Sequence, residues 1–470
     1  VFPDGKMETR YRLKPNLTWH DGKPLTAADF AFSFHMATPA TGFSTAGAPH
    51  SVIDEVQAPD DRTLVIQWKD LYPDAAVLQG GGSRLGLVPF PRHILEAPFN
   101  EGSLDAFQNL PYWSREFVGA GPYKLDRWEP GAFIEAVPFD AHVLGRAKID
   151  RVKFVFPGDA GTVVANLRAG AVQVALNSIK FEQALELKRE WAPTGTGTGT
   201  FTATSAVAVL FQFRPEQANP RGIRDVRVRK ALSYGADKQT LGETIWAGEL
   251  QMLDTIFDPR VPYYSVIEHA ITKYPYDPRA SERLMNEAGY TRGSDGFYAS
   301  PAEGKLTFDL KAGDGRPEQP VLASGWKPLG FDVQESVVPR AQVLDPEVRS
   351  VFPAMYVNAF GAHEVQQMTV LLSSQAGSAE NRWRGENRGG WISPEYDRLV
   401  QAFNTTLDPN ERIQQRAAIG KVLTEELPTL VMSFNPNAHA YLAPVKGVTK
   451  PSLYTTGQLT WNIDKWDYIP

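Results

Sequence analysis

Apolar and polar positions alternate with period two at the start of the chain. Met7, Thr9, Tyr11 and Leu13 fall on one side and Glu8, Arg10, Arg12 and Lys14 on the other. This alternation predicts a half-buried strand with one charged face. Asp21-Gly22 predicts a turn, and Thr26 with Asp29 three residues on predicts a capped helix start, followed by Phe30, Phe34 and Ala37 at helical spacing. Residues 53–68 repeat the strand pattern on both sides of Asp60-Asp61, a hairpin. Residues 88–95 are a proline-punctuated approach to a short helix, and residues 117–125 enter a strand through Gly119-Ala120-Gly121-Pro122.

Further along, residues 149–156 predict a strand, residues 162–170 a helix closed by Gly170, and residues 172–175 a returning strand. A β-α-β order of this kind implies parallel strands and an α/β lobe. The Thr-Gly alternation of residues 193–200 predicts a low-complexity loop. A strongly apolar strand covers residues 206–213, and a linker follows to Pro220. Asp225 predicts the N-cap of a helix with Val228, Ala231, Leu232 and Gly235 on one face, on which Arg227 and Arg229 read as solvated charges rather than anion ligands. Asp277-Pro278, Ser393-Pro394 and Asp408-Pro409 are three more helix starts. Between and after them, residues 306–310, 330–334, 352–357, 429–434 and 440–442 predict strands.

At 470 residues the chain is too long for one ordinary core, so at least two lobes are expected. A net charge of −6 argues against a general polyanion binder, and no nucleic-acid partner is expected. With no cysteine, disulfides, thiolate metal sites and cysteine nucleophiles are excluded. No apolar run reaches membrane-spanning length. Gly80-Gly81-Gly82 lacks the Lys-Ser/Thr and helix of a phosphate loop, and no Gly-x-Ser-x-Gly elbow or His-Glu-x-x-His helix is present. The eight histidines are dispersed, and no carboxylate pair stands out among 54 acidic residues. No catalytic residue, metal site or cofactor is therefore expected. Sixteen Tyr and 11 Trp suit sites that grip varied ligands, though most such rings fill cores.

Four segments, at 11–34, 119–131, 223–238 and 274–290, resemble in the same order the signatures of the family 5 extracellular solute-binding proteins, the dipeptide, oligopeptide and nickel receptors of ABC importers. These include Trp19-His20-Asp21-Gly22, Gly119-Ala120-Gly121-Pro122-Tyr123, Asp225-Val226-Arg227-Val228-Arg229-Lys230-Ala231 and Tyr276-Asp277-Pro278. The resemblance implies an α/β fold of the periplasmic-binding-protein type (type II, cluster C), with two hinged α/β lobes, an accessory lobe and mixed sheets. It maps residues 1–117 to the accessory lobe, 118–213 and 441–470 to the first ligand lobe, and 214–440 to the second. The hinge crossovers are expected near 213–222 and 436–445.

The resemblance also implies a receptor that captures a small polar solute, foremost a short peptide, and delivers it to the transmembrane subunits of an ABC permease. It would act as a monomer, in the periplasm or anchored outside the membrane by a lipid. A sugar, opine or metal chelate is the alternative ligand, and a carbohydrate- or peptide-hydrolysing enzyme the alternative of another class. Peptide-binding relatives place an Asp where this chain has residues 356–364; none stands there, and Glu364 is the substitute. The implied ligand residues are Asn358, Phe360, His363 and Glu364, and from the following loop Arg382, Trp383, Asn387 and Trp391. Relatives carry strands ahead of the Trp19 segment, so the chain is expected to be truncated at its N-terminus and less stable than one carrying that segment.

Overall fold

The structure is a computed structural model that describes residues 1–2, 5–38, 41–42, 49–76, 78, 86–361, 364–450 and 459–470. The Gly80-Gly81-Gly82 segment and His363 lie outside the described residues. Two compact units are present: Val1–Ala203 with Pro436–Pro470, and Thr204–Asn435. The chain thus passes from one unit to the other at 203/204 and at 435/436.

In the first unit the Met7–Arg12 strand pairs antiparallel with Thr63–Trp68, which also pairs with Ile53–Asp60. The helix Ala27–Met36 lays Ala27, Phe30 and Phe34 against the cluster built on Met7, Leu64, Ile66 and Trp68. Its start is set by Asp29, whose Oδ2 accepts the Thr26 backbone N–H at 2.7 Å. Asp29 Oδ1 accepts the backbone N–H of Arg92 at 2.9 Å, where the helix Arg92–Glu101 begins. One carboxylate therefore satisfies donors at two helix starts. A separate cluster of Phe32, Met36, Leu95, Phe107 and Tyr112 lies beside the first. Both belong to the same compact unit as residues 118–203.

His20 ties the Trp19 turn to the Gly119-Ala120-Gly121 segment. Its Nδ1 accepts the Gly119 N–H at 3.1 Å, so the ring proton sits on Nε2, which donates to the Gly121 carbonyl at 3.0 Å. Burial holds this imidazole below its ordinary pKa. Its place is structural.

The expected β-α-β unit is corrected. Strand Val152–Val155 is the third strand of an antiparallel meander with Tyr123–Glu129 and Phe133–Pro138. Strand Val174–Leu176 instead pairs antiparallel with His439–Tyr441 in another sheet. The helix Ala160–Arg168 between them connects two sheets, so no parallel pair forms.

The second unit is built on a mixed sheet. Thr307–Gly313 pairs in parallel with Asp332–Val338 on one side and Met355–Phe360 on the other, and Met355–Phe360 pairs antiparallel with residues 206–211 of the strand Gly197–Phe211. The strand Thr429–Leu442 lies next in order. Val207, Val209, Phe308, Leu310, Trp326 and Met355 are among its fully buried core residues. Residues 206–211 are an interior strand of this sheet and belong to the unit that begins at Thr204. The return crossing at 435/436 falls inside one continuous strand where two short strands were expected.

The Asp225 cap is present, its carboxylate accepting the Arg227 N–H at 2.8 Å. Arg227 is exposed and pairs with Asp225, as a solvated helix charge does. Arg229 departs from the expectation. It is 4% exposed and donates to the carbonyls of Ile223, Arg224, Glu426 and Leu427. Burial pulls its pKa down to about 10. It is an internal brace between the start of its own helix and the end of the helix Pro409–Glu426.

Candidate functional site

The second unit holds a small recess, about 10 Å³ of space open to a water-sized sphere and so room for about one water, where the loop before the helix Pro394–Thr405 meets the sheet. Leu210 and Asn358 line it from two paired strands, Phe360 from the end of the second, and Asn387, Arg388 and Trp391 from the loop. The loop is held down by Arg214, which donates to the carbonyls of Gly377 at 2.7 Å and Arg388 at 2.6 Å. Burial lowers the pKa of that guanidinium. Gly389 allows the close approach, since a Cβ there would lie 2.2 Å from the Phe211 carbonyl oxygen. The Phe213 N–H donates to the Gly389 carbonyl at 2.8 Å, extending the strand pairing onto the loop.

Four of the eight expected ligand residues line this recess: Asn358, Phe360, Asn387 and Trp391. Asn387 is committed to holding the loop. Its Nδ2 faces the carbonyls of Leu371, Leu372 and Trp391, and its Oδ1 accepts the Trp391 N–H. Trp391 is buried, its indole N–H donating to Glu426 at 2.9 Å. Each therefore shapes the wall and has its polar groups already paired. Phe360 adds an apolar surface at 6% exposure.

The other expected residues stand elsewhere. Glu364 opens the helix Glu364–Thr369 and is paired inside the protein, accepting from Arg416 Nε at 2.5 Å and from the Tyr263 hydroxyl at 3.3 Å. Burial raises its pKa while Arg416 pulls the other way. The carboxylate expected to substitute for the ligand-binding Asp is thus already engaged by Arg416 and Tyr263. Arg382 is exposed and Trp383 half-buried, both in the left-handed region at φ 56° and 58°. Neither lines the recess. The Trp383 ring lies 5.6 Å from the Arg214 guanidinium, so it covers the loop's brace.

Arg388, Glu386 and Thr429 line the recess without having been expected there. Arg388 sits among Arg382, Arg384 and Arg388 in one basic loop, and nothing in residue type separates the buried one from the exposed ones. The signal is the Gly-Gly pair directly after it, which marks close backbone approach. Among the described residues no group of three His, Asp or Glu is placed to hold a metal, and no helix is long and apolar enough to cross a membrane.

The architecture is that of an α/β periplasmic binding protein of type II. The profile of bacterial extracellular solute-binding proteins, family 5 (middle region), matches residues 3–381, and the chain belongs to that family. An ABC transporter peptide-binding protein of Brucella ovis is 24% identical over 277 residues, 58% of this chain. The chain spans about half the length of that relative, 48%. The oligopeptide-binding protein AppA of Bacillus subtilis is 22% identical over 476 residues, 98% of this chain and 81% of that protein. In three dimensions, NikZ from Campylobacter jejuni, solved in complex with Ni(L-His), superposes with a TM-score of 0.75 at 21% identity. That match covers 99% of this chain and 89% of NikZ.

Proposed function

We propose that this chain is the solute receptor of an ABC importer and that its solute is a short peptide. The observation that carries the reading is the match to a peptide-binding relative over nearly the whole chain, AppA, within a family of extracellular solute-binding proteins. Two strand crossings give the chain a place to bend as ligand binds, a shift of population toward the liganded form. The receptor works as a monomer outside the cytoplasmic membrane, free or held by a lipid, and passes its cargo to the permease's transmembrane subunits.

Calorimetry and thermal shift against a panel of synthetic di- to pentapeptides test this. Saturable binding with a rise in Tm supports the reading. Failure of every peptide to bind, with a sugar or a metal chelate raising Tm instead, rejects peptide as the solute. Release of hydrolysed products without saturable stabilisation rejects the receptor role and favours the enzyme.

A further inference from the structure

We infer that Asp314-Gly315 is a site of spontaneous backbone modification, at which Asp314 converts slowly to isoaspartate through a cyclic imide. Asp-Gly pairs begin at positions 4, 21, 295 and 314, and Asn is nowhere followed by Gly. The conversion needs a carboxyl group and the next residue's N–H, both free to meet. At Asp21 both are held. Its Oδ1 accepts the Lys23 N–H at 3.1 Å, its Oδ2 lies 2.7 Å from His93 Nε2, and the Gly22 N–H donates to the Trp19 carbonyl at 2.9 Å. Asp295 is held in the same way. Its Oδ1 accepts the Phe297 N–H at 3.1 Å, its Oδ2 lies 3.3 Å from Lys305 Nζ, and the Gly296 N–H donates to the Gly293 carbonyl at 3.0 Å. Asp4 lies outside the described residues, and the Gly5 N–H donates to the Phe2 carbonyl at 3.0 Å. Asp314 and Gly315 are exposed, and neither that carboxylate nor the Gly315 N–H has a hydrogen-bond partner among the described residues.

The Gly315 amide nitrogen attacks Asp314 Cγ. A C–N bond forms, and the amide proton leaves with the carboxyl OH as water, giving a succinimide ring. Water then adds to one of the two ring carbonyls. Opening at the side-chain carbonyl restores Asp, and opening at the main-chain carbonyl of Asp314 routes the backbone through the side chain as isoaspartate. The water lost in the first step is regained in the second, and nothing is oxidised or reduced. Gly315 suits the attack, because it has no Cβ to obstruct the approach and open space around it. The held pairs must first break their hydrogen bonds, some of them to charged groups. The turn at 314–315 joins the strand Thr307–Gly313 to the helix Glu318–Trp326. Gln319 ties the start of that helix to two strands, donating to the carbonyls of Leu310 at 2.6 Å and Ser336 at 2.9 Å. Isoaspartate adds a methylene to the main chain just before this junction, so the modified chain loses stability in its second unit.

The test ages the full chain at neutral pH and moderate warmth for several weeks, folded in buffer and unfolded in urea, in ordinary and in heavy-oxygen water. Peptide mapping then reads each Asp-Gly pair. Isoaspartate resists a protease that cuts ahead of Asp, accepts a methyl group from an isoaspartyl-specific methyltransferase, and carries heavy oxygen from the ring opening. In the folded chain, position 314 is expected to convert about 10-fold or more ahead of 21 and 295, the factor set by the hydrogen bonds those two must break. In urea the three rates are expected to converge. D314E is expected to remove the signal at this position and keep the Tm of the fresh protein. After ageing, the unaltered chain is expected to show a lower urea midpoint than D314E aged beside it. Conversion at 21 or 295 that keeps pace with 314 in the folded chain overturns the assignment. So does a position 314 that stays unmodified when folded yet converts in urea. Equal midpoints despite isoaspartate at 314 overturn the loss of stability.

Discussion

Glu364 and Arg416 form an ion pair at 2.5 Å with side chains only 12% and 10% exposed. The Arg416 guanidinium also stacks between Tyr263 and Phe403, 4.9 and 4.6 Å from the ring centroids. The pair joins the start of the helix Glu364–Thr369 to the long helix Pro409–Glu426. Removing one partner leaves the other charge buried and alone. Glu364→Ala is therefore expected to destabilise the second unit by about 3–5 kcal/mol, read as a lower urea midpoint at unchanged slope. Under conditions where the variant remains folded, its peptide affinity is expected to match that of the unaltered chain. A selective loss of affinity would return Glu364 to the ligand site.

His439 stands within a few residues of the return crossing, buried at 1% exposure. Its Nδ1 accepts the Asn177 N–H at 3.2 Å, so Nε2 carries the proton and donates to the Thr202 hydroxyl at 2.9 Å. A second proton has no acceptor there, and burial drops the pKa from 6.5 to about 4. The unfolded chain takes up the proton as pH falls through 6.5, and the folded chain only near 4. Stability is thus full above pH 6.5 and declines across that window, by about 3 kcal/mol from this group at pH 4. Urea unfolding at a series of pH values, compared between the unaltered chain and His439→Gln, measures it. The variant is expected to lose less stability on acidification, and parallel profiles would remove His439 as the cause.

Much of the fold is legible residue by residue. The caps at Thr26-Asp29, Asp225, Asp277, Ser393 and Asp408 each precede a helix, because capping is settled within one turn of chain. What fails to show is whatever depends on a distant partner. Arg227 and Arg229 are two residues apart on one helix, yet one is solvated and the other buried under the carbonyls of Glu426 and Leu427, nearly 200 positions away. The same holds at the site. Residues 358–391 could be singled out as a region, while the choice between Arg382 and Arg388 depends on where Arg214 pins the loop.

Arg229 offers the third test. Its donors meet four carbonyls, two of them where the helix Pro409–Glu426 ends with Leu427 in the left-handed region at φ 49°. The ring of Phe213 lies 4.4 Å from its guanidinium carbon. Lysine reaches a similar depth with one ammonium and no planar fork, so it cannot serve the same set of acceptors. Arg229→Lys is expected to cost about 2–3 kcal/mol in chemical denaturation. Arg227→Lys, on the exposed face, is expected to fall within about 0.5 kcal/mol of the unaltered chain. Equal losses for the two would contradict the assignment of Arg229 as the brace.

The Thr-Gly run at residues 193–200 predicts a flexible loop, but its second half begins the strand Gly197–Phe211. The glycines are there for contact rather than for flexibility. The helix Phe181–Trp191 lies directly over this end of the strand, and a Cβ on Gly199 would stand 2.3 Å from the Ala184 carbonyl oxygen and 2.9 Å from Lys188 Cβ. Neither atom can move without shifting the helix, which also buries Ala184, Leu187 and Trp191 in the adjoining cluster. Alternation at period two is thus a strand pattern in which the glycine face meets a helix. Gly199→Ala is expected to destabilise by about 1–3 kcal/mol through overpacking. Thr198→Ala, whose side chain is exposed, is expected to change stability by less than about 0.5 kcal/mol. Thermal unfolding of the two variants separates the readings. A flexible loop would accept either substitution, and Gly→Ala would then stabilise slightly by restricting the unfolded chain.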